Sequence, residues 1–344
     1  MLESKNPDSS SKARYRAIYR SGDGAAHLDW PEDRLDEALA DKAGILWFDI
    51  ENPNGDIAPI EALLRDRFNF HALAIDDALH ENHVPKIDDW DHYVYTVFLA
   101  IDFDPDSDIL ISKEIDAFLG KNYLVTYHEG PSRVLDKLRA AIQRDERGRF
   151  KRGPAHVLYQ LIDLGVDDYL AAIEHLDDSI DNAQDEVFAN PNPATLRAIF
   201  QIKRAAAKLN RIISPQREVV NRLARDPFDI VDPQERIYFR DVYDHLVRIH
   251  DITEGLRDLI SGALDTYLSA VSNRTNEIMK TLTLVNVLFL PLSILVGFFG
   301  MNFFGDALSF HSPLPRGVLF LFTCMLMVCV PLFMWTWARR RGWW

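Results

Sequence analysis

Apolar residues recur at Val242, Leu246, Ile249, Leu256, Ile260, Leu264 and Val271, the spacing of one helix face, and no proline interrupts the stretch from Gln234 to Leu290. The pattern predicts one long helix over 234–300, about 100 Å from end to end at 1.5 Å per residue. From Thr281 onward the polar positions thin out. Nineteen mostly apolar residues, "TLTLVNVLFLPLSILVGFF", run to Phe299, and twenty-two more, "GVLFLFTCMLMVCVPLFMWTWA", run from Gly317 to Ala338. Each can cross a hydrocarbon core of roughly 30 Å as a helix, so two spans are expected, 281–299 and 317–338, joined by a link over 300–316. A rod of this length needs neighbours, and several copies side by side around an axis are expected.

Upstream, 154–190 and 194–225 read as two further helices broken by "NPNP" at 190–193, an acidic helical hairpin over 151–230 whose acids crowd into "EHLDDSIDNAQDEVF". Before it, "GILWFDIE", "HYVYTVFLAIDF", "KEIDAFLG" and "NYLVTYHE" are short runs rich in β-branched and aromatic residues. Between them, "IAPIEALLRDRF" and "FHALAIDDALH" read as helices, so 25–150 is expected to be an α/β domain. Residues 1–24 are polar, without the apolar core of a signal peptide, and read as a disordered lead-in. No glycine-rich phosphate loop occurs, and "HENH" at 80–83 lacks the spacing of a zinc protease, so no catalytic constellation is found and an enzyme is not expected.

Charge sharpens this division. Of 52 acidic residues only Asp306 lies beyond residue 280, and of 38 basic residues only Arg316, Arg339, Arg340 and Arg341 do. An acidic surface of that size argues against nucleic acid and suits attraction of cations, although solubility alone also accounts for it. Basic residues flank the outer ends of the two spans: Arg274 and Lys280 before the first, the arginines of the 339–344 tail after the second. Both termini are therefore expected in the cytoplasm, with Trp335, Trp337, Trp343 and Trp344 in the interfacial belt on that side. Cys324 and Cys329 are the only cysteines and lie within the second span, so neither a disulfide framework nor a thiolate metal site is implied.

Inside the first span, Asn286, Ser293 and Gly297 fall on one stripe with Met279, Leu282 and Leu290. A small, polar face on a membrane helix suits either close packing of a helix pair or the lining of a path shared by several copies. The span then ends on Gly300-Met301-Asn302.

That tripeptide at the end of the penultimate span has companions: "HALAIDDALHENHVPKIDDWDHYVY", "EIDAFLGKNYLVTYHE", "YQLIDLGVDDY", "YFRDVYDHL", "SNRTNEIMKTLT", "FLPLS" and the basic, tryptophan-ending tail. Together, over nearly everything from about residue 45 onward, the chain resembles the CorA family of divalent-cation channels. The resemblance implies a homopentameric funnel in the bacterial inner membrane. Its parts would be an α/β cytoplasmic domain, a helical hairpin, and a long stalk helix leading into a two-helix transmembrane region. It makes Gly300, Met301 and Asn302 the selectivity filter and Met279, Leu282, Asn286, Leu290, Ser293 and Gly297 the pore lining. Mg2+ would be both cargo and regulator, with Co2+ or Ni2+ as further passengers. Five amide oxygens at Asn302 suit an ion that keeps its waters and is best met through them. The regulatory metal would lie between Asp77 of one subunit and Asp241 of the next, with Asp76 and Asp163 nearby, closing the pore when cytoplasmic Mg2+ is high.

The link departs from the family pattern. It reads "FFGDALSFHSPLP", leaving Asp306 to concentrate cations and adding His311, a ligand that Zn2+ accepts more readily than Mg2+. The zinc-transporting branch of the superfamily, with possible proton coupling, is therefore the alternative reading. A membrane-anchored metal sensor or scaffold that conducts nothing is the alternative from another class.

Overall fold

The computed structural model describes residues 13–53, 55–80, 84–105, 107–144, 149–300 and 316–341. The chain divides into two compact units, one up to Leu264 and one from Asp265.

The first unit is built on a seven-stranded sheet. Its strands are β1 (Arg14–Arg20), β2 (Ala26–His27), β3 (Ile45–Glu51), β4 (Ile87–Asp89), β5 (Tyr93–Asp104), β6 (Ile109–Gly120) and β7 (Tyr123–His128), in the order β2-β1-β3-β7-β6-β5-β4. Only β3 and β7 run parallel; the other neighbours are antiparallel. Every residue of β3 is buried, as expected of a strand with helices on both faces. Three short helices, α1 (Leu35–Ala40), α2 (Ala58–Asp66) and α3 (Ala72–Leu79), bury Leu35, Leu64 and Ile75 in one core with Phe48, Tyr95 and Phe118 of the sheet. The opposite face meets α4 (Arg133–Gln143) and α5 (Pro154–Ala189), with Gly165 of α5 lying directly over the Phe98 ring of β5.

Residues 14–20 correct the expectation of a disordered lead-in over 1–24, so the α/β domain begins before residue 25. They form β1, burying Ala17, Ile18 and Tyr19. Their polar look in the sequence has a physical cause: Arg14 and Arg16 both reach Glu51 across the sheet, at 3.6 and 3.2 Å.

The hairpin of α5 and α6 (Pro193–Arg225) needs a second correction. Helix α5 carries nine acidic residues and no lysine or arginine, whereas α6 carries eight basic residues and one acid, so the hairpin is acidic on one arm only. Asn192 caps α6 by accepting from the backbone of Ala194 and Thr195 at 2.7 and 3.1 Å, which is why the chain restarts as a helix after "NPNP".

Helix α7 runs unbroken over Arg236–Gly300. Within the first unit it buries Val242, Leu246, Ile249, Leu256 and Ile260 of the stripe read from the sequence, together with Phe239; Leu264 is only half-buried and Val271 is exposed. It is the one helix among the described residues that is long and apolar enough to cross a membrane by length and composition. The last helix, α8, spans Arg316–Arg340 and is apolar from Cys324 to Trp337; Arg339 and Arg341 lie over the rings of Trp335 and Trp337.

Candidate functional site

The second unit presents the apolar end of α7. At 100° per residue, Met279, Leu282, Asn286, Leu290, Ser293 and Gly297 fall within about 80° of one another on the helix wheel. All six are exposed. The covered side carries buried Leu284 with half-buried Leu288, Pro291, Leu292 and Leu295, centred about 180° away by the same count. The polar stripe is therefore not what packs within the unit. Gly300 is the last residue of α7, while Met301, Asn302, Asp306 and His311 lie outside the described residues.

The four expected regulatory acids occupy three elements of the first unit: Asp76 and Asp77 on α3, Asp163 on α5 and Asp241 on α7. Two of them come together. Asp163 is half-buried; burial, with Asp167 and Asp241 nearby, pushes its carboxyl above the ordinary aspartate range against the pull of His245 and Tyr159. The Tyr159 hydroxyl donates to Asp163 Oδ2 only at 3.5 Å. Oxygen donors that repel one another suit a hard divalent ion, which relieves that repulsion. Asp76 is exposed and faces His80 Nδ1 at 3.1 Å. Asp77 is engaged differently, its Oδ2 accepting from the Lys86 ammonium. Among the described residues, no three His, Cys, Asp or Glu side chains of one chain converge to hold a metal ion.

Sequence reasoning missed three groups. Lys86 is the first: burial by itself would lower its pKa, but Asp77 and Asp88 outweigh that and raise it, so it stays charged. Its signal was the alternation "KID", which places Lys86 and Asp88 on one side of a strand. His245, one helical turn after Asp241, is the second, and the i,i+4 spacing was readable. The third is a buried chain of contacts under β3. Trp47 Nε1 donates to Thr126 Oγ1 at 3.1 Å, Thr126 donates to Asp49 Oδ1 at 2.7 Å, and Arg139 donates to Asp49 Oδ2 at 3.1 Å. His128 Nε2 stands 3.4 Å from the same carboxylate. These residues tie α4 to the sheet, and no sequence spacing announces them.

Comparison with known proteins agrees with this architecture. The family model described as CorA-like Mg2+ transporter protein matches residues 42–340. The cobalt/magnesium transport protein CorA of Thermotoga maritima is 39% identical over 237 residues, covering 69% of this chain and 67% of that protein. The putative metal ion transporter YfjQ of Bacillus subtilis is 30% identical over 297 residues, covering 86% and 89%. The complete structure of the CorA magnesium transporter from Methanocaldococcus jannaschii superposes with a TM-score of 0.79 at 22% identity, covering 96% of this chain and 99% of that one. With the family matched along most of its length, the chain belongs to the CorA-like Mg2+ transporters, a family of divalent-cation transport proteins.

Proposed function

We propose that this protein is a homopentameric channel of the bacterial inner membrane that admits Mg2+, and with it Co2+ or Ni2+, into the cytoplasm. Five copies of α7 surround the path, with the stripe from Met279 to Gly297 facing the axis and both termini in the cytoplasm. The observation that carries this reading is the exposure of that stripe on the side opposite the covered face of α7. An anchor helix gains nothing from Asn286 and Ser293 there, whereas a hydrated ion is met by their polar groups. Leu282 and Leu290 form apolar constrictions that close by dewetting. Gly300, Met301 and Asn302 form the outer mouth, where five amides grip the waters around Mg2+.

Entry is driven by the membrane potential, worth about 2.3 kcal/mol per charge per 100 mV. Regulation rests on Asp77 of one subunit and Asp241 of its neighbour, with Asp76 and Asp163 beside them. A bridging Mg2+ binds the closed arrangement better than the open one, which is the differential affinity a ligand-driven switch requires.

The test is uptake into liposomes under an inside-negative potential, with Mg2+ and Zn2+ recorded separately and with or without a pH gradient. Wild type is expected to take up Mg2+ on voltage alone, and Asn302→Ala to abolish uptake while remaining a pentamer. Undiminished uptake by that variant removes the filter assignment. Zinc uptake that requires the pH gradient moves the protein to the zinc branch and makes His311 the next residue to change.

A further inference from the structure

Asp77 does not present a bare carboxylate. Its Oδ2 is held by the Lys86 ammonium, and Asp88 Oδ2 lies 3.4 Å from the same nitrogen. The backbone of Lys86 is fixed, because its carbonyl accepts from Val97 N at 2.9 Å and from Thr96 Oγ1 at 3.0 Å on β5. The ammonium also stands 5.1 Å from the centroid of the Tyr95 ring. With the main chain stitched to β5, only the side chain can move, and two acids lie within its reach.

We propose that Lys86 is a tethered competitor of the divalent cation at Asp77, and that Asp88 receives its ammonium when the cation binds. The two residues together set the Mg2+ concentration at which the regulatory site fills. This rests on the reading of Asp77 as a regulatory ligand. The lone pair of Asp77 that accepts the ammonium is not offered to a metal at the same moment, and a divalent ion at that oxygen repels the ammonium beside it. An ion entering at that oxygen competes with a partner that the chain supplies at a fixed, high effective concentration. Asp88 lowers the cost of displacement by keeping the ammonium paired after it leaves. Both members of the Lys86–Asp77 pair are partly exposed, 26% and 37%, so water screens the interaction. The effect is a shift of threshold, not an absolute block.

The experiment follows protection of purified full-length protein against trypsin in detergent as Mg2+ is titrated, and compares the midpoints of variants. Lys86→Met is expected to lower the midpoint about fivefold, Lys86→Arg to leave it near wild type, and Asp88→Asn to raise it about threefold, sizes suited to a screened pair. In the double variant Lys86→Met/Asp88→Asn, the Asp88 effect should vanish, since there is no ammonium left to receive. Asp77→Asn supplies the control for the underlying reading. If it abolishes protection while Lys86→Met keeps the wild-type midpoint, the competitor role falls alone. If it retains protection at the wild-type midpoint, the regulatory assignment and the competitor role fall together. An Asp88 shift that persists undiminished without Lys86 overturns the receiving role, because that carboxylate then acts on the metal directly.

Discussion

Gly165 offers the sharpest test of how the fold positions the acids. A Cβ at this position would stand 2.2 Å from Phe98 Cζ and 2.6 Å from Cε1. Carbon atoms in contact need about 3.5–4.0 Å, so Gly165→Ala forces the ring or α5 to move by more than about 1 Å. Phe98 is fully buried, with the Tyr169 ring 6.2 Å away and stacked on it, and Tyr169 is itself tied to the Leu99 carbonyl. The ring has little room to turn. Overpacking of this kind costs about 1–3 kcal/mol, and replacing a helical glycine by alanine returns about 1 kcal/mol. The net expectation is destabilisation of about 1–2 kcal/mol, the steric cost taken near its upper end because the ring is pinned. Urea unfolding of the full-length protein in detergent, with hydrogen exchange read on α5 amides, measures it. Phe98→Leu in the alanine background should recover part of the loss, which marks the pair as coupled. Asp163 lies two residues before Gly165, so the displaced helix should also raise the Mg2+ needed for trypsin protection. If Gly165→Ala is as stable as wild type, or Phe98→Leu brings no recovery, close approach is not what this glycine provides.

Three further predictions concern carboxylates in the same unit. Arg139→Met leaves the Asp49 carboxylate, 1% exposed, with only His128 and Thr126, and should cost about 3 kcal/mol in urea unfolding. For Asp49 itself, burial raises the pKa but His128, Thr126 and Arg139 outweigh it and hold the carboxyl below the ordinary 3.8. Its contribution is then complete above that value and lost as the pH falls below it through the folded value; Asp49→Asn should lack this acid-side loss in urea midpoints. Asp116 behaves oppositely. Burial first, then Glu114, pushes its carboxyl well above 3.8, so the fold holds its proton more tightly than the unfolded chain and loses stability as the pH rises from 3.8 toward the folded value. Asp116→Asn keeps an acceptor for the Tyr95 hydroxyl, 2.6 Å from Asp116 Oδ1, and its melting temperature relative to wild type should climb across that window. A constant difference between the two would refute the raised value.

What the sequence made legible follows from how each element balances its polar groups. Strands β3, β5 and β7 announce themselves because both faces are covered and their residues are apolar nearly throughout. Strand β1 does not, because Arg14 and Arg16 are needed for Glu51 and make a buried strand look like a charged tail. Helix α4 carried a readable stripe in Val134, Leu135, Leu138 and Ile142, but it lies between a strand and a charged run. The exposed stripe of α7 was readable from period alone, since a helix converts spacing into a face without help from the rest of the fold. The Lys86–Asp77 pair was not, because it joins a helix to a strand nine residues later and depends on the register that pins Lys86 to Thr96 and Val97.

The charge of the hairpin bears on where cation sensing can reside. The sequence suggests a broad acidic field, yet α6 sets eight basic residues against the nine acids of α5, so the two arms largely cancel at a distance. Over more than about 10 Å such fields are screened at physiological salt in any case. On the proposed mechanism, a threshold response to Mg2+ comes from individual carboxylates whose surroundings make a divalent partner better than water or a neighbour. Asp163 meets that condition through half-burial beside Asp167 and Asp241. Asp77, whose Oδ2 accepts from the Lys86 ammonium, meets it in the proposed mechanism only after that lysine has been displaced. On the proposed mechanism these environments divide the work: repulsion around Asp163 supplies the affinity, and the lysine at Asp77 sets the concentration at which that affinity takes effect. Neutralising charges along α5 away from Asp163, as in Asp178→Asn with Asp181→Asn, should therefore leave the Mg2+ midpoint unchanged. A large shift from those distant residues would return the switch to the field of the whole helix.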